Sequence, residues 1–158
     1  MSKQTASFAA GCFWGVEARF REVEGVLDAI SGYTGGHKDN PGYKEVCGGD
    51  TGHAEAVQVT FDDTQVTYAQ LLDLFFAMHN PTTLNRQGPD FGSQYRSGVY
   101  WYDEDQRAAA EQKISELNAS GKWPNPVVTE LAQARTFWPA EEYHQRYFEK
   151  NGAGFCKV

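Results

Sequence analysis

Thr5-Ala6-Ser7-Phe8-Ala9-Ala10-Gly11-Cys12-Phe13-Trp14-Gly15 carries the reading of the fold, because its period changes at a glycine-flanked cysteine. Thr5 to Ala10 reads as a short buried strand. Beyond Gly15, Val16, Phe20 and Val23 fall at i, i+4 and i+7 with Glu17, Arg19, Arg21 and Glu22 between them, the pattern of an amphipathic helix. The Cys12 thiol therefore belongs at a strand-to-helix turn, at or beside the first helical turn. There the unpaired backbone N–H groups and the positive end of the helix dipole favour a thiolate, and cysteines so placed are typically nucleophiles. A lone thiol is by default a core residue on a tight turn. Two flanking glycines and two aromatics, which a buried turn does not require, tip the reading towards chemistry.

With 158 residues, 22% of them charged and 14% aromatic, the chain is the size of one soluble domain with enough apolar material for a core and a pocket. Its formal net charge of −7 argues against a nucleic-acid or anionic-membrane partner. The N-terminal residues lack a signal-peptide or transit pattern, and no apolar run is long enough to span a bilayer, so the sequence reads as cytoplasmic. Cys12, Cys47 and Cys156 have no C-x-x-C spacing, which weakens a zinc site and a thioredoxin-type motif alike; a disulfide among them in a reducing compartment reads as transient and catalytic.

Val26 to Tyr33 reads as a second strand, followed by a long irregular segment from Gly35 to Gly52. From His53 to Asp62 the residues alternate, with Glu55, Val57, Val59 and Phe61 on one face: a strand with a carboxylate at the end of its apolar side, either a strand-end residue reaching solvent, the commoner case, or a buried acid. Thr67 with Gln70 forms a capping box before a strongly apolar helix that stops before Pro81. A second polar, Gly-containing segment runs to Gly92. Ser97 to Tyr102 is the next strand, and Asp103 with Gln106 opens a helix with a stripe of Ala110, Ile114 and Leu117 that ends at Gly121. Val127 to Leu131 reads as a strand, and Pro139 stands near the first turn of a last helix on which Tyr143 and Tyr147 share a face. Strands and helices interleave without regular βαβ spacing. The expected fold is α+β: a two-layer sandwich with a mixed, mainly antiparallel sheet flanked by helices, and long Gly-rich loops. Residues 1–158 read as a single catalytic domain with a mobile Gly-rich C-terminal tail from about residue 151.

Four separated stretches accompany each other in order. They are Gly11-Cys12-Phe13-Trp14-Gly15, Asn40-Pro41-Gly42-Tyr43-Lys44-Glu45-Val46-Cys47, Thr51-Gly52-His53-Ala54-Glu55, and Asp90-Phe91-Gly92-Ser93-Gln94-Tyr95-Arg96-Ser97. In this set the chain closely resembles the peptide methionine sulfoxide reductase A family, from about Phe8 to about Cys156. The resemblance implies Cys12 as nucleophile, Phe13 and Trp14 as the apolar pocket for the substrate's S-methyl group, and Glu55 as acid. It implies Tyr43 and Tyr95 as donors to the sulfoxide oxygen, with Asp90 in the same polar network. It also implies Cys156 as the resolving cysteine in a two-cysteine cycle and thioredoxin, or another dithiol, as the reductant, with no other cofactor. Substrates would be oxidised proteins, peptides or free methionine sulfoxide, selected for the S epimer. Gly42 stands where relatives often have a larger residue.

The residue types suit that chemistry on their own terms. A sulfoxide is a poor electrophile with a strongly accepting oxygen, so thiolate attack at sulfur needs a proton donor or strong hydrogen bonds at that oxygen. Glu55 supplies the proton if its surroundings keep it protonated, and neutral phenols donate without placing charge beside a thiolate. Attack leaves a sulfenic acid, with which a second thiol condenses. A thiol peroxidase or general thiol-disulfide oxidoreductase would need the thiols but neither acid nor methyl pocket, and a non-catalytic binder of oxidised methionine peptides would need no turnover. Cys47 reads as structural. His37, His53, His79 and His144 form no ligand set and read as ordinary hydrogen-bonding or surface residues, so no metal is implied. Arg96 reads as half of a structural ion pair with Asp90 or Glu55. A monomer is expected.

Overall fold

The computed structural model describes residues 3–151. Strand β1 (Lys3–Ala10) turns at Gly11 into helix α1 (Phe13–Arg21), and Cys12 is the N-cap residue of that helix, as the change of period predicts. Gly11 makes the turn possible. Its φ is +90°, and a Cβ there would stand 2.9 Å from Cγ of Gln87. Strand β2 (Val26–Thr34) follows, then a short helix α2 (Tyr43–Cys47) inside the segment expected to be irregular, and strand β3 (Ala54–Asp62). Helix α3 (Tyr68–Ala77) starts at the expected capping box. Gln70 N donates to Thr67 Oγ1 at 3.1 Å, and Thr67 N donates to Gln70 Oε1 at 2.9 Å.

The second polar segment holds a small hairpin, β4 (Arg86–Gln87) with β5 (Asp90–Phe91), and a single 3₁₀ turn at Ser93–Tyr95. Strand β6 (Ser97–Trp101) and helix α4 (Glu104–Ser120) lie where expected, and Gly121 ends the helix in the left-handed conformation. Strand β7 (Glu130–Gln133) begins three residues later than the apolar run Val127 to Leu131 suggests. The last expected helix is not continuous. Trp138–Pro139 form strand β8, Glu142–His144 a 3₁₀ turn, and helix α5 (Tyr147–Asn151) starts only after Arg146 has taken a φ of +55°. Tyr143 and Tyr147 are therefore not neighbours on one helical face.

Six strands form a mixed sheet in the order β7-β6-β1-β3-β2-β8, antiparallel throughout except for the β6–β7 pair. Phe8 of β1 shows what covers one face. Its ring lies 5.1 Å from Phe20 of α1 and 5.2 Å from Phe75 of α3, and all three are fully buried. A second, smaller cluster joins Ala9, Ala54, Ala56 and Tyr100 to Phe137 and Ala134. Small side chains there let the segments between the strands approach the sheet closely. The α+β class and the mixed, mainly antiparallel sheet expected from the sequence are the fold observed. No helix among the described residues is long and apolar enough to cross a membrane.

Candidate active site

The β1–α1 turn, the start of β3 and the first residue of α2 converge at one end of the sheet. Tyr33 of β2 pairs directly with Glu55 of β3, so the carboxyl group is set between strands and is 1% exposed. Glu55 Oε1 accepts a hydrogen bond from Phe13 N at 3.2 Å. That amide is the first of α1, one of the groups a helix leaves unpaired, and its partner thus stands directly beside Cys12. Glu55 Oε2 has no hydrogen-bond partner among the described residues. Burial pushes the carboxyl up to about 8, the Phe13 amide opposes this, and the charge of Asp90 reinforces it. The acid is therefore held protonated at neutral pH, with one oxygen uncommitted.

Tyr43 and Tyr95 lie in the same electrostatic neighbourhood. The Tyr43 amide donates to Glu141 Oε2 at 3.0 Å, and its ring stands 6.4 Å from Phe13. Burial raises its phenol, and Glu55 raises it further. Tyr95 is pushed up to about 12 by burial and by Glu55, Cys47 and Asp90. Both hydroxyls are neutral donors. Gly42 N donates to Glu45 Oε1 at 2.9 Å, and a Cβ at Gly42 would meet only that oxygen at 3.6 Å, so the small residue leaves the Tyr43 helix intact.

Cys12 is half-buried and disulfide-bonded in this structure. Cys156, the expected resolving cysteine, lies outside the described residues, as does the Gly-rich tail from residue 152. Cys47 is a free, exposed thiol four residues along α2 from Tyr43, whose hydroxyl donates to its sulfur. Burial, followed by Glu55 and Glu141, raises this thiol against the pull of the Tyr43 hydrogen bond. The neighbouring Val46, not Cys47, contributes to the core.

Three further residues belong to the site. Glu141 accepts from the Tyr33 hydroxyl at 2.9 Å through its other oxygen, and so ties β2 to α2. His144 is fully buried and neutral. Its Nδ1 accepts from Trp14 Nε1 at 2.9 Å, which places the ring proton on Nε2, and its ring lies 5.1 Å from Phe13 and 4.4 Å from Tyr43. Burial holds His144 below the usual histidine range. Of the expectation that it is an ordinary hydrogen-bonding or surface residue, the hydrogen bond is found but the surface position is not: the ring is buried against Phe13, Trp14 and Tyr43. Its signal in the sequence is slight, since nothing in Glu142-Tyr143-His144 marks a turn that folds back on α1.

His53 is buried as well, with Nδ1 accepting from Gly36 N at 3.1 Å and Nε2 donating to the Lys38 carbonyl at 2.6 Å, so it organises the loop before α2. Arg96 pairs with neither Asp90 nor Glu55. It binds Glu130 at 3.2 Å and the Gly52 carbonyl at 2.9 Å. Glu130 and the carbonyls of Ser93 and Gly52 satisfy the guanidinium instead.

A cysteine at a helix start, a buried carboxylic acid at the same helix's first amide and two neutral phenols are groups that a cysteine-dependent oxidoreductase would use. The chain belongs to the peptide methionine sulfoxide reductase family, whose sequence profile matches residues 4–158. It is 51% identical over 153 residues to the peptide methionine sulfoxide reductase MsrA of Acidobacterium capsulatum, covering 97% of this chain and 98% of that one. The reduced form of Mxr1 from Saccharomyces cerevisiae superposes with a TM-score of 0.91 at 39% identity, over 98% of this chain and 89% of that one. Mxr1 in complex with Trx2 superposes with a TM-score of 0.66 at 26% identity, over 92% and 84% of the two chains. The protein is a peptide methionine sulfoxide reductase.

Proposed function

We propose that the protein reduces the S epimer of methionine sulfoxide, free or within a polypeptide, as a cytoplasmic monomer. The Cys12 thiolate attacks the sulfoxide sulfur while Glu55 gives its proton to the departing oxygen and Tyr43 and Tyr95 donate hydrogen bonds to it. Phe13 and Trp14 receive the S-methyl group. The new S–S bond then breaks as the protonated oxygen moves from the substrate sulfur to the Cys12 sulfur, releasing methionine and leaving a sulfenic acid. The Cys156 thiol then displaces that oxygen as water, forming a disulfide. A dithiol of the thioredoxin class returns the enzyme to its reduced form by exchange, and the yeast neighbour bound to Trx2 supports that choice of reductant.

The observation that carries this reading is the state of Glu55. A buried carboxyl held at about 8 beside the first amide of α1 is a proton donor at neutral pH, and it stands next to the cysteine. A peroxidase has no use for it. Reduced protein mixed with a racemic methionine sulfoxide peptide tests the scheme. About one methionine per enzyme is expected without thioredoxin and many with it, all from the S epimer. Methionine released equally from both epimers, or none from either while the peptide still binds, would overturn it.

A further inference from the structure

Glu17 is a buried carboxylate for which the reaction has no use. It lies on α1 one turn beyond Trp14, is 1% exposed, and spends every acceptor on a donor from elsewhere. Oε1 accepts from Ser31 Oγ at 2.8 Å and from Arg146 N at 3.1 Å, while Oε2 accepts from Arg21 Nε at 2.7 Å and from Arg146 N at 2.9 Å. The residue it grips, Arg146, has a left-handed backbone, φ +55°, a conformation that a non-glycine residue adopts only at a cost. Next to it, the side-chain amide of Gln145 lies along β2 as a strand would, accepting from Ser31 N at 2.9 Å and donating to Ser31 O at 2.8 Å.

Those two attachments lie between the residues that hold the Trp14 indole. His144 takes the indole N–H at 2.9 Å, and the ring of Tyr147 stacks on the indole face at 3.8 Å and 7°. The backbone between the 3₁₀ turn that ends at His144 and the helix that begins at Tyr147 makes turn hydrogen bonds, Gln145 N to the Glu142 carbonyl at 3.0 Å and Lys150 N to the Arg146 carbonyl at 3.1 Å. We infer that Glu17 is a positioning residue for the substrate pocket: by clamping Arg146 N and, through Ser31, the strand to which Gln145 is laced, it sets His144 and Tyr147 against Trp14. The inference rests on the reading of Trp14 as a wall of the methyl site. A glutamine at position 17 cannot reproduce the clamp in full, because only one of its two ends accepts, whereas Arg146 N is held by both carboxylate oxygens and Arg21 Nε by one of them.

The test compares pre-reduced wild type, Glu17→Gln and Gln145→Ala in single turnover without thioredoxin, on a peptide of methionine S-sulfoxide and on its S-ethyl homologue. Melting is followed in parallel and assays are run well below each midpoint. A pocket fitted to a methyl group rejects one extra methylene by about 10- to 200-fold. Glu17→Gln is expected to erode that discrimination by about ten-fold and to raise the half-saturating concentration of the methyl substrate, with a smaller effect on the maximal rate. Gln145→Ala, which keeps the carboxylate, should shift both in the same direction by less, and it carries the test if Glu17→Gln does not fold. Lowered melting with discrimination and half-saturation unchanged in either folded variant would overturn the inference and leave Glu17 a structural residue. Wild type that releases no methionine from this peptide would instead count against the reading of the site itself.

Discussion

At the scale of single residues, the proposed reaction depends on where one proton sits. Glu55 keeps it because desolvation outweighs the one hydrogen bond that favours the carboxylate, and the Asp90 charge adds to the effect. If Glu55 is the acid, the rate of the first chemical step falls as pH rises through about 8. Glu55→Gln should lower that rate by roughly 10²- to 10⁴-fold and flatten the alkaline limb, since an amide has no proton to lose. Stopped-flow release of methionine from pre-reduced enzyme between pH 6 and pH 9 reads both, and a variant that keeps the wild-type limb would remove Glu55 from the role. Cys12 and Glu55 were legible in the sequence because the helix period and the strand alternation place them. His144, Tyr33 and Glu141 were not. Each acts through a contact more than ninety positions away, such as Tyr33 to Glu141 at a separation of 108 residues, and no local period reports a contact of that kind.

At the scale of elements, the sequence foretold the starts of helices better than their surroundings, because caps are local chemistry. Asp103 accepts from Gln106 N at 2.8 Å, as its spacing requires. The Gln106 side chain does something the motif does not say. Instead of reaching back to the cap amide, it accepts from Tyr102 N at 3.0 Å and donates to the Thr5 carbonyl at 2.8 Å, which fastens α4 to β1. Asp103→Ala is therefore expected to cost about 1 kcal/mol, the usual worth of a cap. Gln106→Ala should cost about 2 kcal/mol, because it keeps the cap but leaves Tyr102 N and the Thr5 carbonyl, both partly buried, short of a partner. Denaturant titrations of the two variants check the order, and equal losses would mean that the link to β1 contributes nothing. The elements misread were those made by tertiary pairing. Strand β8 exists because Trp138–Pro139 lie against Tyr33 and Gly32, and the last helix is broken where Glu17 holds the Arg146 amide and Ser31 the Gln145 side chain.

For the whole molecule, two buried groups on different elements oppose each other in the dependence of stability on pH. His79 ends the α3 segment, with Nδ1 donating to the Phe75 carbonyl at 2.7 Å and Nε2 accepting from Ser97 Oγ at 2.7 Å, and burial holds it down to about 4 against an ordinary 6.5. Between those values the unfolded chain binds a proton that the folded one refuses. Stability is therefore full above 6.5 and is lost as pH falls towards 4, by about 3 kcal/mol in all. His144, also depressed by burial, adds to that slope. Glu55 works the other way: its folded value of about 8 lies above the ordinary 4.5, so the folded chain keeps a proton that the unfolded one has released, and stability falls as pH rises from 4.5 to 8. The two slopes cancel or tilt slightly upwards between 4.5 and 6.5, where both act. Above 6.5 only Glu55 remains, and about 2 kcal/mol should be lost by pH 8. Urea unfolding of the oxidised protein at pH 5, 6.5 and 8 measures this shape directly. Glu55→Gln should abolish the alkaline decline and expose the histidine slope, giving a variant whose stability rises steadily from pH 4 to 6.5. If the decline above 6.5 survives that substitution, another group carries it, and the proton assigned to Glu55 in catalysis loses its thermodynamic support.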